Sequence, residues 1–200
     1  YKGSNTVIYA LPRGGVILGL EIGKILNAPL DLIITRKIGH PDNPEYAVCA
    51  ITEDGELFCN ESERATLNEN WLMEQVEKEK KETERRRKVY MGGRGRISAE
   101  GKTAIVVDDG IATGLTMAVA IKSIKKEKPQ KVIVAVPVAP HDSVINLKKE
   151  ADEVIVILEE KDYLGAVGAY YDEFNQVSDR EVVSMLRTKM SDEAKYGREN

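Results

Sequence analysis

The sequence is poor in cysteine and in aromatic residues, and it contains no long apolar run. Of its 200 residues only two are cysteine and 6% are aromatic, which argues against a disulfide scaffold and predicts a mainly aliphatic core. We expect the thiols of Cys49 and Cys59 to be reduced. No apolar run approaches the roughly 20 residues that a transmembrane helix needs, and the first residues show no signal-peptide pattern. These absences predict a cytoplasmic protein with no membrane partner.

The sequence also lacks the basic excess of a protein that binds nucleic acid. Its formal net charge is -4 and its pI is about 5.4, whereas a nucleic-acid surface usually has a basic footprint. The densest basic run, Arg85 to Lys88, belongs to a segment that begins at Glu77 and mixes charges of both signs. Opposite charges four residues apart are typical of a solvated helix face. We therefore predict no nucleic-acid partner.

Strand-like and helix-like segments alternate along the chain. Short apolar runs occupy 6–11, 30–34, 103–107, 131–136 and 153–158. Helix-like segments occupy 16–26, 117–127 and 143–150. This alternation is typical of an α/β fold with a mainly parallel sheet flanked by helices. Because the sequence has no internal repeat and no linker rich in proline or serine, we predict a single domain over 1–200 with its core at about 6–160.

The middle of the chain departs from this alternation. Two strand-like runs, 46–52 and 56–59, flank the dipeptide Asp54-Gly55, which is a hairpin signal. We expect the segment at about 40–60 to be mobile, because its turn formers leave little apolar surface for packing. The alternative is a rigid surface hairpin, anchored by Val48, Ala50 and Ile51. A long polar helix over about 61–90 is predicted to follow.

The segment from Val106 to Thr116 combines an acidic pair with a turn that contains two glycines. Asp108 and Asp109 directly follow a strand of the buried type, and Thr113 precedes the start of a helix. In open α/β sheets, ligands bind at the carboxyl ends of the strands. A helix N-terminus with hydroxyl donors suits a phosphate, and paired carboxylates suit two neighbouring hydroxyls or a cation held through water. The spacing therefore predicts a ribose 5-phosphate ligand, and it matches neither a P-loop nor a dinucleotide fingerprint.

The same run, VVDDGIATGLT, resembles the phosphoribosyl-binding loop of the type I phosphoribosyltransferases. Further segments, among them ALPRGGV and QVSD, resemble a group of prokaryotic phosphoribosyltransferase-like proteins, and together they extend over nearly the whole chain. The resemblance implies that Asp108 and Asp109 contact the ribose hydroxyls. It also implies that the rest of the loop lines the 5-phosphate pocket, namely Gly110, Ile111, Ala112, Thr113, Gly114, Leu115 and Thr116.

The resemblance assigns the other parts of the site as well. It implies a set of pyrophosphate contacts at Pro12, Arg13, Gly14, Gly15, Arg36 and Lys37. It implies a small hood at about 161–187, in which Val167 and Gly168 bind the base. Tyr163 either packs this hood or stacks on the flat base. A Mg²⁺ cofactor would be held by Asp108, Asp109 and Asp172. The hairpin at about 40–60 falls where the family has a mobile lid.

Two positions bear on the acceptor of the reaction. Ala112 stands where family members that use 6-oxopurines commonly carry an acid, and no lysine follows the strand at 131–136 to read a 6-oxo group. Both departures weaken hypoxanthine and guanine as acceptors. Glu45, in the predicted lid, is a candidate replacement acid, while Arg13 and Lys37 are the candidate catalytic cations.

The resemblance thus implies an enzyme of nucleotide salvage. It would transfer a 5-phosphoribosyl group from 5-phosphoribosyl-1-pyrophosphate to a purine-like nitrogen base, with Mg²⁺ as cofactor and release of pyrophosphate. A homo-oligomer, expected to be a dimer, is the predicted assembly. The alternative is a regulator with the same fold that senses the donor or a nucleotide without turnover, since a fold and its ligand site do not guarantee catalysis.

Overall fold

The structure is a computed structural model that describes residues 1–3 and 5–196, with side chains described as far as residue 189. Residue 4 and residues 197–200, which belong to the predicted domain, lie outside the described part. Within that part, no helix is long and apolar enough to cross a membrane.

The described strands and helices follow the predicted alternation. The strands are β1 (Thr6–Ala10), β2 (Leu30–Leu32), β3 (Thr35–His40), β4 (Asn43–Thr52), β5 (Leu57–Cys59), β6 (Thr103–Val107), β7 (Lys131–Pro140) and β8 (Glu153–Glu160). The helices are α1 (Gly15–Leu26), α2 (Glu61–Arg64), α3 (Glu69–Met91), α4 (Leu115–Lys125), α5 (His141–Leu147) and α6 (Asp179–Tyr196). A short 3-10 turn spans Val167–Tyr170.

Five strands form a parallel sheet in the order β2-β1-β6-β7-β8. Every residue of β1 and β6 is buried, as expected for continuous apolar runs at the centre of a parallel sheet that has helices on both faces. The predicted α/β fold with a mainly parallel sheet is therefore confirmed. Ala10 pairs with Val107 at the ends of β1 and β6, so the loops that follow these two strands leave the sheet side by side.

The core lies on both faces of this sheet. On one face, β1, β6 and β7 pack against α4 and α5 through residues such as Met117, Ile121 and Val144. On the other face, the same strands pack against α1, the end of α3, and α6, where Val182 is fully buried. Since successive strand residues point to opposite faces, each apolar run supplies both halves of the core.

A second, antiparallel sheet contains β3, β4 and β5. The predicted hairpin around Asp54-Gly55 is present between β4 and β5, and β3 is an additional strand that the sequence did not indicate. Val48 and Ile51 of β4 are fully buried against Leu72 and Val76 of α3. This small sheet is thus a packed layer between α3 and the start of α4.

The two halves of the predicted lid at 40–60 differ in their packing. The tip of the β4–β5 hairpin is anchored, because Arg87 donates to Glu53 at 3.4 Å and the Ser123 hydroxyl donates to Asp54 at 2.9 Å. The interior of β4 is buried, which favours the anchored hairpin over the mobile one for this half of the segment. The exposed part is 41–46, around the β3–β4 turn. The mobile lid stays a prediction, and this turn is the part of it that burial leaves free to move.

Two further boundaries differ from prediction. The polar segment at 61–90 forms two helices, because Asn68 caps α3 by accepting a hydrogen bond from the Trp71 amide at 3.1 Å. The predicted hood at 161–187 ends before Asp179, where α6 begins and buries Val182 and Leu186 in the main core. Both boundaries depend on packing between distant segments.

The prediction of two reduced cysteines is wrong for this structure, which contains a Cys49–Cys59 disulfide. The two residues are register partners on β4 and β5, with their Cα atoms 4.0 Å apart. A separation of ten residues gave no disulfide signal in the sequence, but the hairpin register brings the side chains together. Because lasting disulfides are rare in a reducing cytosol, the cytoplasmic location stays a prediction.

We expect removal of the disulfide to lower the free energy of unfolding by about 2–3 kcal/mol, because the opened loop regains entropy in the unfolded chain. Chemical unfolding of the wild type and of Cys49→Ala/Cys59→Ala, both without reductant, measures the difference. Thiol labelling of the denatured wild type should detect no free thiol, and Cys59→Ala alone, which frees Cys49, is the positive control. Two reactive thiols per unfolded wild-type chain would contradict the pairing.

Candidate active site

The loop after β1 forms one wall of a cleft at the carboxyl edge of the large sheet. It runs from Leu11 to Gly14, and the peptide bond between Pro12 and Arg13 is cis. Its first amide, from Leu11, donates to the Val107 carbonyl of the neighbouring strand at 2.9 Å. The loop is therefore held against the end of β6, where the acidic pair begins.

Glycine is required where this loop meets the acidic pair. A Cβ atom on Gly14 would lie 1.6 Å from a carboxylate oxygen of Asp109, and one on Gly15 would lie 2.7 Å from the Val107 carbonyl oxygen. The second of these contacts is with backbone and cannot be relieved by a side-chain rotation. The two glycines thus bring the β1 loop closer to Asp108 and Asp109 than any other residue type allows.

Asp108 and Asp109 are partly buried at the base of the cleft. The Asp109 amide donates to the Asp108 carboxylate at 2.9 Å, and the Tyr171 hydroxyl donates to the Asp109 carbonyl at 2.6 Å. Burial is the largest cause that raises the pKa of Asp108 well above its ordinary value, and the charge of Asp109 is the second. The charge of Lys37 opposes this rise. Burial also raises the pKa of Asp109. A ligand that brings hydroxyls or positive charge would therefore stabilise the ionised form of the pair.

The segment after the acidic pair ends in an open helix N-terminus. Gly114 precedes α4 with φ 78°, a left-handed conformation that favours glycine, and within the described chain no side chain caps this helix. The Ser143 hydroxyl donates to the Ala112 carbonyl at 3.1 Å and holds the turn. Amides at an uncapped helix start, beside the hydroxyls of Thr113 and Thr116, form an anion-binding arrangement.

Basic side chains also line the cleft. Arg13, Arg36 and Lys37 were predicted there, and all three line it together with the acidic pair. Arg13 lies 3.6 Å from Asp179 of α6, and the Arg36 Nε lies 2.7 Å from Glu79 of α3. Helices outside the loop therefore hold two of the three cations.

Most of the predicted site residues meet in this cleft of about 670 Å³. The predicted residues that line it are Pro12, Arg13, Gly14, Arg36, Lys37, Glu45, Asp108, Asp109, Gly110, Ile111, Ala112, Thr113, Gly114, Thr116 and Val167. The side chains of Ile111 and Leu115 are buried in the hydrophobic core, so Ile111 offers the cleft little beyond its backbone and Leu115 does not line it. Gly15 lies behind the loop, against β6.

Three predicted residues of the C-terminal segment lie outside the cleft lining. Tyr163 stacks on Tyr170 with ring centroids 5.4 Å apart, which agrees with the packing alternative. Gly168 is covered by the ring of Phe174, 2.8 Å from where its Cβ would lie. Asp172 is exposed, and it does not join the acidic pair in any potential metal-binding group within the described residues. These placements depend on how the segment folds back, which local sequence does not specify.

The cleft also contains residues that sequence reasoning missed. Thr35, Ala47 and Phe174 line it, as does Arg86 from α3. Thr35 could have been found from its position directly before Arg36. Arg86 was assigned to a solvated helix face because the charge pattern around it hid the buried stripe of α3, which contains Leu72, Val76, Thr83, Tyr90 and Met91.

Comparisons with known proteins agree with this arrangement. The family model described as phosphoribosyl transferase domain matches residues 1–173. Two sequences from strains of Mycobacterium tuberculosis, each named a "putative phosphoribosyl transferase", are 40% identical over 198 residues, which is 98% of this chain and 44% of theirs. The chain thus spans less than half the length of these relatives. The crystal structure of TT1426 from Thermus thermophilus superposes with a TM-score of 0.76 at 36% identity, over 92% of this chain and 88% of that one.

The raised pKa of Asp108 predicts a pH-dependent cost of folding at this site. A carboxyl group whose pKa is higher in the folded state does not oppose folding below its ordinary value of 3.8, and it destabilises the fold as the pH rises through the raised pKa. Asp108→Asn keeps the acceptor of the Asp109 amide and removes the charge. We therefore expect this variant to be more stable than the wild type near neutral pH.

Urea unfolding of both proteins from about pH 4 to about pH 8 checks this prediction. The stability advantage of Asp108→Asn should shrink as the pH falls. The matched control is Asp172→Asn, which makes the same chemical change at an exposed position outside the cleft and should show no comparable trend. An advantage of Asp108→Asn that is constant with pH would contradict the assigned cause.

Proposed function

Because the chain belongs to the phosphoribosyl transferase domain family, we propose that it transfers a 5-phosphoribosyl group from 5-phosphoribosyl-1-pyrophosphate to a nitrogen base. One observation supports this most strongly. The acidic pair shares one cleft with an uncapped helix start and a group of cations. A ligand with a phosphate, a ribose diol and a diphosphate matches these three groups in chemistry.

The start of α4 binds the 5-phosphate in this proposal. The amides of the first turn and the hydroxyls of Thr113 and Thr116 donate to its oxygens. Asp108 and Asp109 accept hydrogen bonds from the 2- and 3-hydroxyls of the ribose, and hydrogen bonds to ionised carboxylates are stronger than those between neutral groups. These hydroxyls form hydrogen bonds to the charged form of the carboxyl groups. Binding of 5-phosphoribosyl-1-pyrophosphate therefore lowers the raised pKa of both.

The diphosphate lies toward the β1 loop and the start of β3. Arg13, Arg36 and Lys37 contact it there, together with backbone amides of the loop. As the bond between the ribose and the diphosphate breaks, negative charge builds on the leaving group, and these fixed cations stabilise it. Removal of one such contact typically lowers the rate on the order of 10²-fold.

The acidic pair also fits a Mg²⁺ ion bound together with the donor. Two adjacent carboxylates with raised pKa values gain from a nearby dication, and Mg²⁺ prefers one or two carboxylates plus substrate phosphates to a cage built by the protein alone. Asp108 and Asp109 would hold it. When bound, the ion would neutralise part of the charge of the diphosphate.

The acceptor base enters where the cleft is least polar. Val167 and Phe174 line the cleft, and aromatic and aliphatic side chains suit a flat purine-like base. Ala112 supplies no acid there. Glu45 lines the cleft and is exposed beside the β3–β4 turn, so we propose it as the group that accepts the proton of the base. Closure of that turn over the donor would exclude water.

A base screen tests the proposed reaction. The protein is incubated with the donor, Mg²⁺ and one nitrogen base at a time, and released pyrophosphate is measured. We expect release with at least one purine-like base, and its loss in excess chelator. Lys37→Ala should lower kcat/KM on the order of 10²-fold, while Lys78→Ala, an exposed position of α3 outside the cleft, should leave it unchanged.

The screen also separates the enzyme from a sensor. Donor binding with no pyrophosphate release across purine and pyrimidine bases would contradict the transferase and favour a regulator that binds the donor without turnover. Full release of pyrophosphate in excess chelator would contradict only the role of Mg²⁺, and not the transfer reaction. The predicted dimer and the place of the reaction in nucleotide salvage stay predictions.

A further inference from the structure

One face of helix α3 is buried, and Arg86 lies on it where the helix reaches the cleft. Its buried residues include Leu72, Val76, Thr83 and Tyr90, which repeat at helical spacing along one face. Arg86 lies three residues after Thr83 and four before Tyr90, so it continues this face at the level of the cleft. A charged residue on a buried face needs a partner or a ligand.

The run Arg85-Arg86-Arg87 divides into three environments. Arg87 points to the core, where its guanidinium lies 2.9 Å from the fully buried Asp31. Arg85 points to solvent, with 54% of its side chain exposed. Arg86 lies between them, with 21% of its side chain exposed, and of the three it is the one that lines the site cleft. The three neighbours therefore have different roles despite identical chemistry.

Glu82 holds the Arg86 side chain through one nitrogen of its guanidinium group. The Arg86 Nε donates to Glu82 at 2.8 Å, so the terminal amino groups of the guanidinium remain for other partners. Arg85 binds the same carboxylate through two nitrogens, at 2.7 and 2.9 Å. These two arginines lower the pKa of Glu82 to about 2, so Glu82 stays ionised and holds both side chains at any pH near neutral.

The formal charge of the cleft lining depends on Arg86. The acids that line the cleft are Glu45, Asp108 and Asp109, and without Arg86 they are matched by Arg13, Arg36 and Lys37. With all three carboxyl groups counted as ionised, Arg86 makes the formal charge of the lining positive. A guanidinium with free terminal donors matches a phosphate oxygen pair in two-point geometry.

Resting on the proposed function, we infer that Arg86 is a further diphosphate-contacting residue, which α3 carries to the site from outside the β1 loop and β3. We assign it to the diphosphate end because Glu79, which holds Arg36 of that end, lies one helical turn before Glu82 on the same helix. The role of α3 is then to hold two cations of the leaving-group site, Arg36 through Glu79 and Arg86 through Glu82.

Calorimetric titration with two ligands tests this inference. Inorganic pyrophosphate with Mg²⁺ probes the diphosphate end, and ribose 5-phosphate probes the other end. Arg86→Gln should weaken pyrophosphate binding roughly 10- to 100-fold, as expected for a lost hydrogen bond to a charged group, and should change ribose 5-phosphate binding by less than about twofold. Arg86→Lys, which keeps the charge but loses the two-point geometry, should show a smaller loss.

Arg85→Gln is the matched control, because it removes an equivalent partner of the same carboxylate outside the cleft. It should leave both affinities within about twofold of wild type. Equal pyrophosphate affinity in Arg86→Gln and Arg85→Gln would overturn the inference, and so would an equal loss of both ligands in Arg86→Gln, which would indicate a structural role. A wild type that binds neither ligand would instead refute the proposed function, and the inference with it.

Discussion

The close approach of the β1 loop to the acidic pair is the contact on which the rest of the site depends. Parallel pairing aligns Ala10 with Val107, so the loop and the pair leave the sheet at the same point. Gly14 and Gly15 lack the Cβ atoms that would keep the loop and the acidic pair apart. As a result, cations and carboxylates that are distant in sequence share one cleft.

The cations of the cleft are in turn oriented by acids of the surrounding helices. Asp179 lies near Arg13 and accepts a hydrogen bond from the Tyr90 hydroxyl at 2.7 Å, while Glu79 and Glu82 bind Arg36 and Arg86. Pairs that are partly exposed contribute little to stability. Their effect is to restrict long, flexible side chains before a ligand arrives, which lowers the entropy lost on binding. The same helices complete the core through Leu72 and Val182, so the positions of these acids are coupled to the packing of the fold.

The sequence predicted the parts of this arrangement that are local. The strand, acidic pair, turn and helix from Val106 to Thr116 are contiguous, and alternating apolar runs specify the parallel sheet. The parts that local sequence does not specify depend on contacts between distant segments. The disulfide follows from strand register, and the anchored hairpin tip follows from Arg87 and Ser123 on other elements. Asp172 and Tyr163 lie outside the cleft because the C-terminal segment packs on itself. Arg86 was missed because its charge pattern also fits a solvated helix.

Calorimetric titration of 5-phosphoribosyl-1-pyrophosphate with Mg²⁺ into the wild type and into Asp108→Asn/Asp109→Asn tests the central claim most directly. The amides keep the size of the side chains and the acceptor for the Asp109 amide, while they remove the charge that the ribose hydroxyls and the cation require. The account predicts saturable binding by the wild type and no measurable binding by the folded double variant. Unchanged affinity in that variant would contradict it.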